Sequence, residues 1–203
     1  MWAVVGLGNP EKRYLKTRHN VGMTFVKRVA RAWKVKLRKR IFYSLGEEGA
    51  AYLGVEVERD NEKILLATPL TYMNNSGQAV KQILKARRIN PENLIVVYDD
   101  LDIPLGEIRI RERGGPGTHK GMCSIVEEIE TTEFPRIRVG IGPLSPAENA
   151  VDFVLSPFNQ SEEPLLDEGL KKAQEALEII LSGEAERAMN IYNQRGKTLS
   201  NSS

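Results

Sequence analysis

Leu94-Ile95-Val96-Val97-Tyr98-Asp99-Asp100-Leu101-Asp102 sets five apolar residues directly before a cluster holding three carboxylates. A short unbroken apolar run rich in β-branched residues reads as a buried strand. The carboxylates then fall at its C-terminal end, where open α/β sheets collect their ligands. A second run of this kind, Trp2 to Leu7, stands at the start of the chain and is closed by the turn residues Gly8, Asn9 and Pro10.

Helical spacing links these strands. Val21, Phe25, Val26, Val29 and Trp33 recur on one face of a helix, and Ser76 reads as the N-cap of another that runs to Arg88 and stops at Asn90 and Pro91. Gly49 to Glu58 and Lys63 to Ala67 flank Arg59-Asp60-Asn61-Glu62 as a hairpin. Downstream come an alternating strand from Leu105 to Arg111, a glycine-rich loop from Gly114 to Gly117 and a helix from His119 to Glu130. They are followed by a core strand from Ile137 to Ile141 and helices over Glu162 to Leu181 and Glu184 to Tyr192. Pro164 is tolerated in the first turn of the longer helix. Strands alternating with helices predict an α/β sandwich. With no linker in view, residues 1–195 are expected to form a single domain, and the small polar tail, 196–203, to be disordered.

Bulk properties narrow the function. The 203 residues carry 29 Lys and Arg against 27 Asp and Glu, a formal balance of +2, so contact with RNA would have to come from local clustering. One cluster exists: Lys27 to Arg40 holds eight basic residues and no acidic one. Its plain reading, a solvated helix face and the strand after it, weighs as much as an RNA footprint. A single cysteine, Cys123, excludes an intrachain disulfide. Trp2 onward has no signal-peptide features and no stretch is long enough to span a membrane, so the expected location is cytoplasmic.

Several chemistries lack their residues. Two histidines and one cysteine do not make an ordinary zinc site, and the Asp99, Asp100, Asp102 cluster is weak as a magnesium site because Asp99 and Asp100 diverge if the strand continues. The Gly6-Leu7-Gly8 pair starts a dinucleotide fingerprint that Glu11 and Pro10 break off. There is no Walker lysine motif and no nucleophile elbow, and Cys123, among apolar neighbours in a helix, is expected to be buried filler. No metal and no cofactor are expected. His19 remains, between a turn and a helix start, with a pKa range suited to taking a proton from water. Asp99 is a candidate partner to fix its tautomer, and Asn9, Asn20 and Asn74 stand near element ends, able to read an amide or an ester carbonyl or simply to cap turns. The residues alone support a hydrolase-like cleft with an unknown substrate.

Longer motifs go further. Val5 to Pro10 (VGLGNP), Tyr14 and Thr17 to Gly22 (TRHNVG), Pro69 to Gly77 (PLTYMNNSG), Tyr98 to Arg111 (YDDLDIPLGEIRIR), Gly114 to Met122 (GGPGTHKGM), Arg136 to Gly142 (RIRVGIG) and Val151 to Phe158 (VDFVLSPF) follow one another over nearly the whole chain. In this order they resemble the bacterial peptidyl-tRNA hydrolase family. The resemblance implies one mixed, mostly parallel β-sheet flanked by helices, usually in a monomer, and hydrolysis of the ester joining peptide to tRNA, which recycles tRNA dropped by ribosomes. It implies His19 as the base on water, Asp99 as its support, Asn9 as reader of the peptide's first amide and Asn74 as a bond to substrate near the ester. Tyr14 and Tyr72 would line the groove for the peptide or the tRNA 3′ CCA, and His119 would stand at the rim. Arg111 and Arg138 would grip the 5′-phosphate at the acceptor end. No membrane or DNA partner is implied. Glu11, Thr118 and Lys120 depart from the family's usual glycine, glycine and asparagine; Lys120 donates but cannot accept, and is kept as a substrate contact. The alternative is a non-catalytic RNA-binding relative of the same fold.

Overall fold

The computed structural model describes residues 1–44 and 47–194. The last residue of the expected domain and the whole of the expected tail lie outside the described residues.

The two apolar runs become neighbouring parallel strands at the centre of a sheet. β1 (Trp2–Gly6) lies between β4 (Glu62–Pro69) and β5 (Leu94–Pro104), parallel to both, and β5 lies parallel to β7 (Arg136–Gly142). β2 (Arg38–Ser44) and β3 (Glu47–Arg59) add antiparallel strands on one side and β6 (Ile108–Arg111) on the other, giving the order β2-β3-β4-β1-β5-β7-β6. The single α/β domain with a mixed sheet is thus as expected. The chain is extended from Leu94 through Asp99 and Asp100 to Pro104, well past the apolar run. Leu105 to Glu107 form the turn before β6 and not the start of the strand.

Period-two alternation sends successive side chains to opposite faces of the sheet. Val4, Ile95, Val97, Ile137 and Val139 pack with α1 (Val21–Ala32), α5 (Glu163–Leu181) and α6 (Ala185–Tyr192). Ala3, Val5, Val96 and Tyr98 pack with α2 (Ser76–Arg87) and α3 (Lys120–Ile129). Each fully buried aliphatic or aromatic side chain contributes roughly 1.5–3 kcal/mol, so these two faces hold the three layers together. By the same alternation Asp99 follows Val97 towards the α1 layer, and Asp100 follows Tyr98 towards the α3 layer.

Three details correct the expectations. Ser76 is the first residue of α2 and Asn75 its N-cap, without a side-chain capping bond. Cys123 is exposed, because α3 buries Gly121, Met122, Ser124 and Ile125 and turns position 123 outward. A short helix, α4 (Ala150–Leu155), follows β7 where only a family motif had been noted. The basic run from Lys27 to Arg40 spans the end of α1, a turn and the edge strand β2, away from the cleft described next. Charges on an edge strand discourage pairing with other chains, which is the plain reading of this run.

Candidate active site

The loops leaving β1 and β4, the turn before α1, the second half of β5, the neighbouring strands β6 and β7, the glycine-rich loop before α3 and one side of α4 enclose a cleft of about 790 Å³. Asn9, Tyr14, His19, Asn74, Asp99, Arg111, His119, Lys120 and Arg138 all line it. Tyr72 does not: it is half exposed, and its hydroxyl donates to Glu11 outside the cleft. Glu11 also pairs with Arg13 at 2.8 Å, whose guanidinium lies over the ring of Tyr14.

A buried carboxylate with two imidazoles forms the floor. Asp99 is 3% exposed, and its oxygens lie 2.9 and 3.0 Å from His19 Nδ1. One of those oxygens is also 3.0 Å from His119 Nε2. Burial alone would push the Asp99 carboxyl up. The charge and hydrogen bond of His119, then those of His19, outweigh it and hold the group well below the usual carboxylate range. The carboxylate therefore stays ionised throughout the neutral range.

The tautomers follow from the partners. His119 is the N-cap of α3, and its Nδ1 accepts the backbone N–H of Met122 at 3.2 Å. That nitrogen carries no proton, so Nε2–H is the donor to Asp99 and both ring nitrogens are committed. His19 spends only Nδ1–H on Asp99. Its Nε2 keeps a lone pair and has no hydrogen-bond partner among the described residues, while the ring lines the cleft. Of the two imidazoles, His19 is the one free to accept a proton. The sequence reading had His119 at the rim; the structure makes it a second anchor of Asp99, a role that only tertiary contact reveals.

The asparagines divide in the same way. Asn20 is fully buried: its Oδ1 accepts the N–H of Asn9 at 2.8 Å and its Nδ2 donates to the Asn9 carbonyl at 2.9 Å. It holds the β1 loop and reads no ligand. Asn9 Oδ1 accepts the N–H of Met73 at 2.9 Å, so the group left for the cleft is its Nδ2 amide NH2, a donor. Asn74 is exposed in the short turn, Met73–Asn75, that precedes α2.

The carboxylates of the β5 cluster diverge. Asp100 accepts from Arg138 Nε at 2.6 Å, Asp102 is exposed, and neither approaches Asp99. Instead His19, Asp99 and His119, whose ligand-type atoms lie within 4.8 Å of one another, form a group whose composition suits a metal ion. Two histidines are few for an ordinary zinc site, yet folding brings both to one carboxylate. The facing nitrogens already donate to Asp99, so the group is hydrogen-bonded without an ion. Arg111 and Lys120 are exposed cleft residues with no ion pair among the described residues, and Arg113, which sequence reasoning passed over, lines the same cleft while paired with Glu133 at 3.5 Å.

Known proteins resemble this chain along nearly its whole length. The family model described as peptidyl-tRNA hydrolase matches residues 3–201. A peptidyl-tRNA hydrolase of Chloroflexus aurantiacus is 45% identical over 194 residues, covering 95% of this chain and 99% of that one. One of Aquifex aeolicus is 42% identical over 192 residues, covering 95% and 96%. The crystal structure of peptidyl-tRNA hydrolase from Acinetobacter baumannii superposes with a TM-score of 0.80 at 32% identity, covering 95% of this chain and 94% of that one. With sequence and fold agreeing over this length, the chain belongs to the peptidyl-tRNA hydrolase family.

Proposed function

We propose that this protein hydrolyses the ester between peptide and tRNA, with His19 as general base on water and Asp99 as the carboxylate that orients it. The observation that carries this reading is the one uncommitted imidazole nitrogen, Nε2 of His19, facing a cleft while Nδ1 is held by a buried ionised carboxylate. Nε2 takes a proton from water as the oxygen adds to the ester carbonyl. Asp99 stabilises the resulting imidazolium. Collapse of the tetrahedral intermediate breaks the bond to the ribose oxygen, which leaves with the proton from His19. Such general base catalysis supplies about 10²–10⁴-fold, and preorganised donors such as the Asn74 side chain add to it.

The Asn9 side-chain amide NH2 supports discrimination. A donor held at that point suits the carbonyl oxygen of the peptide's first amide and disfavours the free ammonium of an aminoacyl ester. Arg111, Arg113, Lys120 and Arg138 on the cleft suit phosphates at the tRNA acceptor end, with the 3′ CCA leading to His19. Tyr14 lines the same passage. The protein then works as a cytoplasmic monomer, and no helix among the described residues is long and apolar enough to cross a membrane.

The test is hydrolysis of N-acetyl-aminoacyl-tRNA and of unblocked aminoacyl-tRNA by the purified protein in excess EDTA. Cleavage of the first alone is expected. The metal-capable trio of His19, Asp99 and His119 gives a second reading, a metal-assisted hydrolase, which loss of activity in EDTA and its return with a divalent ion would favour. Binding of tRNA without turnover in either condition would favour a non-catalytic RNA-binding protein.

A further inference from the structure

Arg18 precedes the base and does not line the cleft, yet it is only 5% exposed. Its Nη2 donates to both carboxylate oxygens of Glu162, at 3.0 and 2.8 Å, and its Nε donates to Ser156 Oγ at 3.3 Å. The guanidinium lies 4.4 Å from the ring centre of Phe153 and 4.7 Å from that of Phe158. Its backbone N–H donates to the Ser156 carbonyl at 3.0 Å, and Thr17 forms a β-bridge with Pro157. Every one of these partners belongs to residues 153–162, the end of α4 and the approach to α5.

The other side of α4 is a wall of the cleft, made of Ala150, Val151, Val154 and Leu155. A helix of six residues has no independent stability, so its place depends on what its ends hold. We propose that Arg18 is a positioning residue that locks the α4 wall to the His19 turn, so that the apolar wall and the base keep a fixed register across the cleft. The proposal rests on the reading of His19 as the base. A planar guanidinium suits this task because it lies against two aromatic rings while Nη2 meets Glu162 and Nε meets Ser156, whereas a lysine ammonium has one nitrogen and no plane to stack. The hydrogen bonds from Arg18 and Asn159 outweigh burial and hold the Glu162 carboxyl below its ordinary range, in keeping with a charged pair.

The test compares Arg18→Lys, Glu162→Gln and the double variant with the unmutated protein. The readouts are kcat and KM on N-acetyl-aminoacyl-tRNA, the ¹H–¹⁵N imidazole signals of His19 and His119, and the urea midpoint. We expect Arg18→Lys to remain folded and to lose about ten- to a hundredfold in kcat/KM, with kcat lower and KM higher. The His19 ring signals should move more than those of His119, which shares the same carboxylate, and the double variant should lose less than the two single losses combined. Folded Arg18→Lys with unchanged kinetics and His19 signals, whatever its urea midpoint, would overturn the proposal. If Arg18→Lys does not fold, Glu162→Gln, which keeps the cation between the two rings, decides by the same readouts. If the unmutated protein shows no hydrolysis, the reading of His19 as base fails separately, and the ring signals still decide whether Arg18 positions it.

Discussion

In the proposed mechanism Asp99 is the residue on which the chemistry turns, because two imidazoles meet at one buried carboxylate. Replacing it with Asn leaves His19 Nδ1–H without an ionised acceptor and removes the charge that stabilises the imidazolium. Asp99→Asn is therefore expected to lower kcat by about 10²–10⁴-fold with little change in tRNA binding, measured by single-turnover kinetics and filter binding. The same carboxyl ties stability to pH. Its folded pKa is depressed, so its contribution is complete above the unfolded carboxyl value of about 4 and is lost as pH falls below that towards the folded value. Urea midpoints should fall through this acid window in the unmutated protein and fall less in Asp99→Asn, which should be less stable at neutral pH by roughly 1.5–3 kcal/mol, the scale of one charge-assisted hydrogen bond. Equal acid slopes in the two proteins would contradict this. The sequence showed Asp99 at the end of a strand and His19 before a helix. It could not show that His119 shares the carboxylate, since that depends on α3 starting beside the end of β5.

At the scale of elements, the site depends on how closely α1 sits on β1 and β5. A Cβ placed on Gly22 would come 2.2 Å from the Val97 carbonyl oxygen and 2.6 Å from the Leu7 nitrogen. Both are backbone atoms of the strands that present Asp99 and Asn9, and neither can move cheaply. Gly22→Ala is expected to cost about 1–3 kcal/mol or more by overpacking and to lower activity by displacing His19 from Asp99. Urea unfolding and turnover at saturating substrate would check this, and a variant as stable and active as the parent would contradict the close approach. The central strands and α1, α3, α5 and α6 were legible because burial on one or two faces leaves a periodic apolar pattern. α4 was not: six residues give less than two turns of pattern, and four of its five apolar side chains line the cleft. β2 left only a hint within the basic run, since an exposed edge strand carries charges where a buried one would alternate.

For the molecule as a whole, a net charge of +2 hides an uneven distribution: Arg111, Arg113, Lys120 and Arg138 gather on one cleft. Arg138 is tied to Asp100 and is therefore partly neutralised, which leaves Arg111 as the freer contact for phosphate. The logarithm of the affinity for tRNA should fall linearly with log salt, and Arg111→Ala should reduce that slope by about one while weakening binding for all tRNA sequences alike. An unchanged slope would place the phosphate contacts elsewhere, with the run from Lys27 to Arg40 next to be examined by substitution. No composition statistic pointed to this cleft. It arises because β5, β6, β7 and the loop before α3, distant in sequence, meet at one edge of the sheet.

The most direct measurement is single-turnover hydrolysis of N-acetyl-aminoacyl-tRNA by His19→Ala, with and without added imidazole. Loss of roughly 10²–10⁴-fold, partly restored by free imidazole, is expected if one uncommitted ring nitrogen activates the water. A rate for His19→Ala equal to that of the unmutated protein would contradict it.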